Sequence, residues 1–389
     1  MNRMIKITLL FIIASISLTL NAQVFLQIPI EGTQGEDWII VNYVDWDTIG
    51  IKDFNCSTKT YDGHQGTDFV IRSFQDMDDS VAVHAATAGI VTFTVDTIFD
   101  RETISDIDKG LGNYIALSHA NDFYTYYGHL MQNSVQFEVG DSVEAGALIG
   151  FVGSSGNSTD PHLHFELWYD SLYIVDPFAG DCGNEVTRFI DPPTYDSSLT
   201  VWESGLHLKN DLTINDLRER IVSIDKPYSI SVGSDSMLYF WSHMYGLRKD
   251  KELSIKWFTP DNLEWFDYSF SLDRDYWYYY YWSFINHQDL VVGDWTVRLY
   301  YDGMEIANEI FEVNDEVTSL TKLNGDGKCQ EYKSWSYDKL ISSDHIDVNI
   351  FNVNGQQISK NELPDLPSGI HLLQIRNGDQ NCILKRWIE

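Results

Sequence analysis

Gly153-Ser154-Ser155-Gly156-Asn157-Ser158-Thr159-Asp160-Pro161-His162-Leu163-His164-Phe165-Glu166 opens as a glycine- and serine-rich loop and closes as an alternating run of polar and apolar residues. In an extended strand, side chains at even separations share a face. His162 therefore points with His164, and Glu166 shares their side. An earlier stretch, Gly63-His64-Gln65-Gly66-Thr67-Asp68, has the same parity between His64 and Asp68. Two such strands laid side by side present four polar ligating groups to one point. Neither motif is specific alone, and the context around them decides.

That context is a β context. Short runs rich in β-branched and aromatic residues recur between Gly, Asn and Asp, as in Ala88–Phe93, Asn113–Leu117, Trp295–Leu299 and Val348–Phe351. Helical periodicity is scarce beyond the first residues, so the expected class is mainly β. Residues 23–195 hold six of the eleven His and close in the structure-breaking Asp191-Pro192-Pro193-Thr194. Residues 196–315 alternate as a β-sandwich of immunoglobulin-like type requires, with Trp295, Val297 and Leu299 inward and a hairpin signal at Asp302-Gly303. A Gly/Asp/Lys linker, 323–328, then leads into a small β unit, making 316–389 the last segment.

Composition narrows the function. The chain has 389 residues, is 43% hydrophobic and 14% aromatic, and carries 26 Lys+Arg against 58 Asp+Glu, a net charge of −32. It can fill real cores. It lacks the cationic surface that general nucleic-acid binding needs, so nucleic acid is not an expected partner. Residues 1–22 pair the positive Met1–Lys6 with an apolar run and end in Asn21-Ala22, the pattern of a cleaved signal peptide. No other stretch reaches the roughly 20 apolar residues of a membrane span. A mature chain exported through the periplasm, secreted or held at the cell surface, follows. Export makes disulfides of the four cysteines, and the expected pairs are Cys56–Cys182 and Cys329–Cys382, each within one domain, with free thiols the alternative.

From Gly63 to Leu167, a little over a quarter of the chain, the pieces fall in a recognisable order. Gly63–Asp68 is followed by Val83-His84-Ala85-Ala86, Gly89-Ile90-Val91 and Gly112-Asn113-Tyr114. Then come Tyr124–Leu130, Val139-Gly140-Asp141, Gly146–Gly150 and Gly153–Glu166. This run resembles the catalytic domain of the M23 family of zinc endopeptidases, the lysostaphin and LytM type, which cut peptide bonds in peptidoglycan. The resemblance implies one zinc ion bound by His64, Asp68 and His164, with His129 and His162 beside the metal-bound water as catalytic groups rather than ligands. Chemistry agrees with that split, since catalytic zinc keeps three protein ligands and one open position. Imidazoles titrate near 6.5, which suits general acid and base work at neutral pH. Two His and one carboxylate also suit iron(II), but the surrounding pattern and the two spare imidazoles favour zinc. Glu166 reads equally as an orienting partner for His164 and as strand-end polarity.

Two positions depart from the pattern: Asp160 stands where Gly is usual, and Gly63 where many members have Asn. The acidic loop 96–109 is longer than a minimal hairpin needs and either shapes the cleft or is a solvated excursion. The remaining His, at 84, 119, 207, 243, 287, 345 and 371, read as structural. Tyr276-Trp277-Tyr278-Tyr279-Tyr280-Tyr281-Trp282, taken as a strand, places aromatics on both faces, for a core on one side and for glycan or domain packing on the other. The C-terminal run Ile346–Gln356, continuing through Leu366–Ile375 to Lys385-Arg386, resembles the type A sorting domain of the type IX secretion system. The expectation is thus a secreted zinc endopeptidase acting on peptidoglycan peptides, with the type IX secretion machinery as a partner. The alternatives are a protease on glycine-rich proteins and an inactive wall-binding or regulatory module.

Overall fold

The computed structural model describes residues 24–220, 228–231, 237–286 and 290–314, together with the backbone of strands at 347–351, 357–358, 369–377 and 380–388. The expected signal peptide 1–22, the linker 323–328 and Cys329, and with it the expected Cys329–Cys382 pair, lie outside the described residues. Two compact units emerge. One takes in the described chain up to Trp202 and again from Ile214; the other runs from Glu203 to Thr213 and resumes after residue 221.

The first unit is built on β1 (Trp38–Asn42), β2 (Thr67–Ile71), β3 (Ala82–His84), β4 (Gly89–Val95), β5 (Tyr114–Ser118), β6 (Phe123–Gly128), β7 (Ser142–Val143), β8 (Leu148–Phe151), β9 (His162–Tyr169) and β10 (Tyr173–Ile174). Its main sheet has the order β1-β2-β9-β6-β5-β4-β7, with β10 on β9, while β3 and β8 pair separately. A short helix, α1 (Phe74–Asp78), follows β2, and Ser73 caps it by accepting from the Asp76 amide. The central strands β2 and β9 are buried on both faces, and Phe69, Ile71, Leu163, Phe165 and Leu167 join Trp38, Phe74 and Tyr127 in the core. Burying side chains of this size stabilises by roughly 1.5–3 kcal/mol each, which holds the register of the strands beneath the polar cluster. The Cys56–Cys182 disulfide is formed, as expected.

The second unit contains β11 (Thr200–Lys209, entering from the first unit), β12 (Tyr228–Ser231), β13 (Met237–Tyr245), β14 (Glu252–Phe258), β15 (Glu264–Ser271), β16 (Tyr279–Asn286), β17 (Gly293–Tyr301) and β18 (Met304–Asn314). These form a three-stranded sheet, β11-β13-β16, and a five-stranded sheet, β12-β18-β17-β14-β15. The Trp257 indole of one donates to the Ser283 hydroxyl of the other at 3.1 Å. Trp295, Val297 and Leu299 are fully buried, in line with the alternation read from the sequence. The aromatic tract differs from its expected single strand. β16 begins only at Tyr279, whereas Trp277 is buried beneath the Arg248 guanidinium, 4.2 Å from its ring centre. Tyr276 pairs instead with Leu247 in an isolated bridge, so the tract turns before it becomes a strand. At the C-terminal end β19 (Asp347–Phe351), β20 (Gln357–Ile358), β21 (Gly369–Asn377) and β22 (Gln380–Ile388) form a sheet of order β20-β19-β21-β22.

Candidate active site

The site lies across the middle of the first sheet. In the β2–β9 ladder Asp68 stands opposite His164, and in the β9–β6 ladder His164 stands opposite Gly128, the residue before His129. His162, two residues before His164 on β9, shares its face, as the sequence parity required. His64 arrives differently. β2 starts at Thr67, so His64 reaches Asp68 from the preceding turn and not along a common strand. Gly66 makes that approach possible, because a Cβ there would lie 2.8 Å from the His164 ring and 2.6 Å from the Phe165 carbonyl.

His64, Asp68 and His164 are all buried and bring one ligand atom each to within 4.8 Å of one another. The His64 Nε2 to His164 Nδ1 distance is 3.3 Å, His64 Nε2 to Asp68 Oδ1 is 3.2 Å, and His164 Nδ1 to Asp68 Oδ1 is 2.8 Å. Tetrahedral zinc with bonds of about 2.0–2.1 Å separates its ligand atoms by roughly 3.3 Å. The donor set and spacing therefore fit such an ion.

Each of the three also has its other polar atom anchored. His64 Nδ1 donates to the Tyr43 carbonyl at 2.7 Å. Asp68 Oδ2 accepts from the Asn42 amide at 2.8 Å. His164 Nε2 donates to Glu166 Oε1 at 2.9 Å, while Glu166 Oε2 accepts from the Trp168 indole at 2.6 Å. Anchors of this kind fix ring orientation and leave the opposite nitrogen for a metal. Of the two readings of Glu166, the geometry favours the orienting one. Asn42, Tyr43 and Trp168 carried no signal in the sequence, because their roles come from strand pairing and from a carbonyl.

The other two imidazoles sit beside this triad. His129 and His162 have ring centres 4.6 Å apart, and His129 lies 5.6 Å from His164. His129 Nδ1 donates to the Ser155 carbonyl and His162 Nδ1 to the Asp160 carbonyl, both at 2.7 Å. With Nδ1 engaged, each ring keeps Nε2 as its free acceptor, and His162 Nε2 is 3.7 Å from Asp68 Oδ1. His129 adopts a left-handed backbone with φ of 60°, uncommon for a residue with a Cβ, held by its amide donating to the Leu111 carbonyl.

Electrostatics separate the five groups. Burial alone raises the Asp68 carboxyl, but the His64 and His164 imidazoles outweigh it and hold the acid well below the usual range. Burial pushes His164 down, yet the flanking Asp68 and Glu166 carboxylates lift it to about 10. Burial holds His129 well below the ordinary imidazole value, helped by His162 and His164. His162 is lowered too, mainly by burial and against the pull of Asp68. Asp68 thus keeps its negative charge, and the flanking pair stays neutral.

Residues 62–177 match the family model described as Peptidase family M23. That segment is similar to M23 peptidases. Over 84 residues it is 38% identical to the DD-carboxypeptidase/endopeptidase Mpg of Neisseria meningitidis, covering 22% of this chain and 16% of that protein. Over 110 residues it is 32% identical to the peptidoglycan DD-endopeptidase ShyA of Vibrio cholerae, covering 28% and 21%. Among solved structures, the catalytic domain of the antimicrobial peptidase lysostaphin from Staphylococcus simulans is 25% identical, with 35% of this chain and 85% of that one covered and a TM-score of 0.24. The chain spans about a fifth of the length of these curated relatives. All five sequence-derived positions fall inside the matched M23 segment.

Proposed function

We propose that this chain is a zinc-dependent endopeptidase that hydrolyses peptide bonds of peptidoglycan. The observation that carries the reading is the division of labour among five histidine and aspartate side chains. Three converge with their outer atoms tied down, and two stand beside them with Nδ1 donated to backbone carbonyls and Nε2 free. His64, Asp68 and His164 are the ligands in this account. Zinc bound there supplies a Lewis acid that polarises a peptide carbonyl and acidifies a water. His129 and His162 are neutral because burial disfavours their charged forms, and one of the two would accept the water's proton at Nε2 and return it to the leaving amine. Once it carries that proton, the same ring's Nε2–H stabilises the oxyanion as it develops.

Peptidoglycan peptides as substrate rest on the relatives' stated activities. An inactive wall-binding module is disfavoured, because all five side chains are present and assembled. Export by residues 1–22, and passage through a type IX system by the C-terminal β unit, belong to the same proposal. What supports the latter is the sequence pattern from 346 together with the four-stranded β19–β22 sheet. Among the described residues no helix is long and apolar enough to cross a membrane.

The test is mass spectrometry of fragments released from defined muropeptides with and without a chelator. Release that stops on chelation and returns with zinc supports the reading. Release that is indifferent to the chelator defeats it.

A further inference from the structure

The loop 154–160 supplies the carbonyls that orient both flanking imidazoles: Ser155 for His129 and Asp160 for His162. What holds that loop comes from two places far apart in sequence. The acidic loop 96–109 grips its first half. Glu102 N–H donates to the Ser154 carbonyl at 2.8 Å, and Ser154 N–H donates to the Asp100 carbonyl at 2.9 Å. Its second half is gripped from helix α2 (Ile214–Arg218), which belongs to the same compact unit as the M23 domain. Arg218 Nε donates to Asp160 Oδ1 at 2.8 Å and Nη2 to Oδ2 at 3.1 Å, a two-pronged grip on a carboxylate whose side chain is only 11% exposed. The same guanidinium donates through Nη1 to the Thr103 carbonyl at 3.2 Å, tying the two loops together.

The helix is itself secured. Glu219 pairs with Arg101 at 2.6 Å, and Arg101 also pairs with Asp78 of α1. Leu217 is buried. A planar fork on a largely buried carboxylate fixes direction as well as distance, which a mobile ammonium does not. The residue so fixed, Asp160, is the one that departs from the expected glycine, and its own carbonyl lies two residues before His162.

We infer that Arg218 is a positioning residue for the peptidase reaction. Through the Asp160 carboxylate it holds the Asp160 carbonyl against His162 Nδ1–H and so keeps His162 Nε2 directed at the substrate. Residues 214–218, which follow the M23 segment by some forty positions, are thereby part of the active-site wall. The inference rests on the peptidase reading above. A displacement of about 1 Å in a catalytic group is enough to cost on the order of 100-fold in rate.

The test uses the zinc-loaded full chain with Arg218→Ala, Arg218→Lys, Asp160→Asn and the Asp160→Asn/Arg218→Ala double variant. Arg218→Ala is expected to lower kcat by about 10- to 100-fold, with KM and zinc content unchanged, and Arg218→Lys to recover part of the loss. Histidine-ring ¹⁵N spectra should show His162 as the single Nδ1–H tautomer in the parent chain and as a mixture in Arg218→Ala. If Arg218 only neutralises a buried carboxylate, the double variant regains the parent kcat, and the inference is overturned. An unchanged kcat or an intact tautomer in Arg218→Ala overturns it equally. Should Arg218→Ala not fold, Arg218→Lys and Asp160→Asn conserve side-chain volume and carry the same comparison. If the parent chain releases no peptide, the peptidase reading is what has failed, and the His162 spectrum decides on Arg218 by itself.

Discussion

Replacing Glu166 by Gln tests how far the proposed zinc site depends on a residue outside the proposed ligand set. The carboxylate accepts two hydrogen bonds, from His164 Nε2 at 2.9 Å and from Trp168 Nε1 at 2.6 Å. Both partners are donors, and a Gln side chain offers only one acceptor oxygen, with an NH₂ group on the other branch. One donor must therefore face N–H. Leaving a buried donor unpaired costs about 1–3 kcal/mol. If the orphan is His164, its ring is free to tilt and Nδ1 loses the basicity that an anionic partner confers. Loss of such an outer partner weakens metal binding by about 10- to 100-fold, equivalent to roughly 1.4–2.8 kcal/mol. The assay is a competition titration of zinc against a chromophoric chelator, on the parent chain, Glu166→Gln and Trp168→Phe. Trp168→Phe removes only the outer donor and should weaken zinc less than Glu166→Gln does. Equal zinc affinity in the parent and Glu166→Gln would refute the argument that Glu166 orients His164.

Three further outcomes are expected. His164→Ala should abolish both zinc binding and turnover, whereas His129→Ala should retain zinc and lose about 100- to 10,000-fold in turnover, the usual range for a general acid or base; equal zinc loss in both would show the roles to be misassigned. Because burial holds His129 and His162 low, turnover of the zinc-loaded chain should persist as pH falls through about 6.5, the ordinary imidazole value, and decline only below it. Over the same window the unfolded chain takes up protons that these two rings refuse, so the stability they contribute is complete above about 6.5 and is lost as pH falls towards their folded values; an acid limb at or above 6.5 would contradict the assignment. Removing the Cys56–Cys182 bridge with a Cys56→Ser/Cys182→Ser pair should cost about 2–5 kcal/mol, read as a lowered denaturant midpoint, and an unchanged midpoint would show the bridge to be incidental.

The parts of this site that were legible in sequence are those set by period and by order of motifs. His162 and His164 share a face because β9 is extended, and Trp295, Val297 and Leu299 are buried because β17 alternates. The disulfide between Cys56 and Cys182 followed from the domain division. Parity failed at His64, which looks like a strand neighbour of Asp68 but arrives from a turn that Gly66 permits. It failed again in the Tyr276–Trp282 tract, where a turn precedes β16. Nothing local marks Asn42 as the partner of Asp68 or Arg218 as the partner of Asp160, since these contacts span 26 and 58 residues and exist only once the sheet has formed. The Asp160 departure was visible, but its meaning required the cation that grips it.

Anomalous diffraction at the zinc edge, from crystals of the whole chain, examines the central claim most directly. One peak is expected, bonded to His64 Nε2, Asp68 Oδ1 and His164 Nδ1, with His129 and His162 close by but not coordinating. A peak bonded to either of those two rings, or no peak among these residues after zinc loading, would contradict the account.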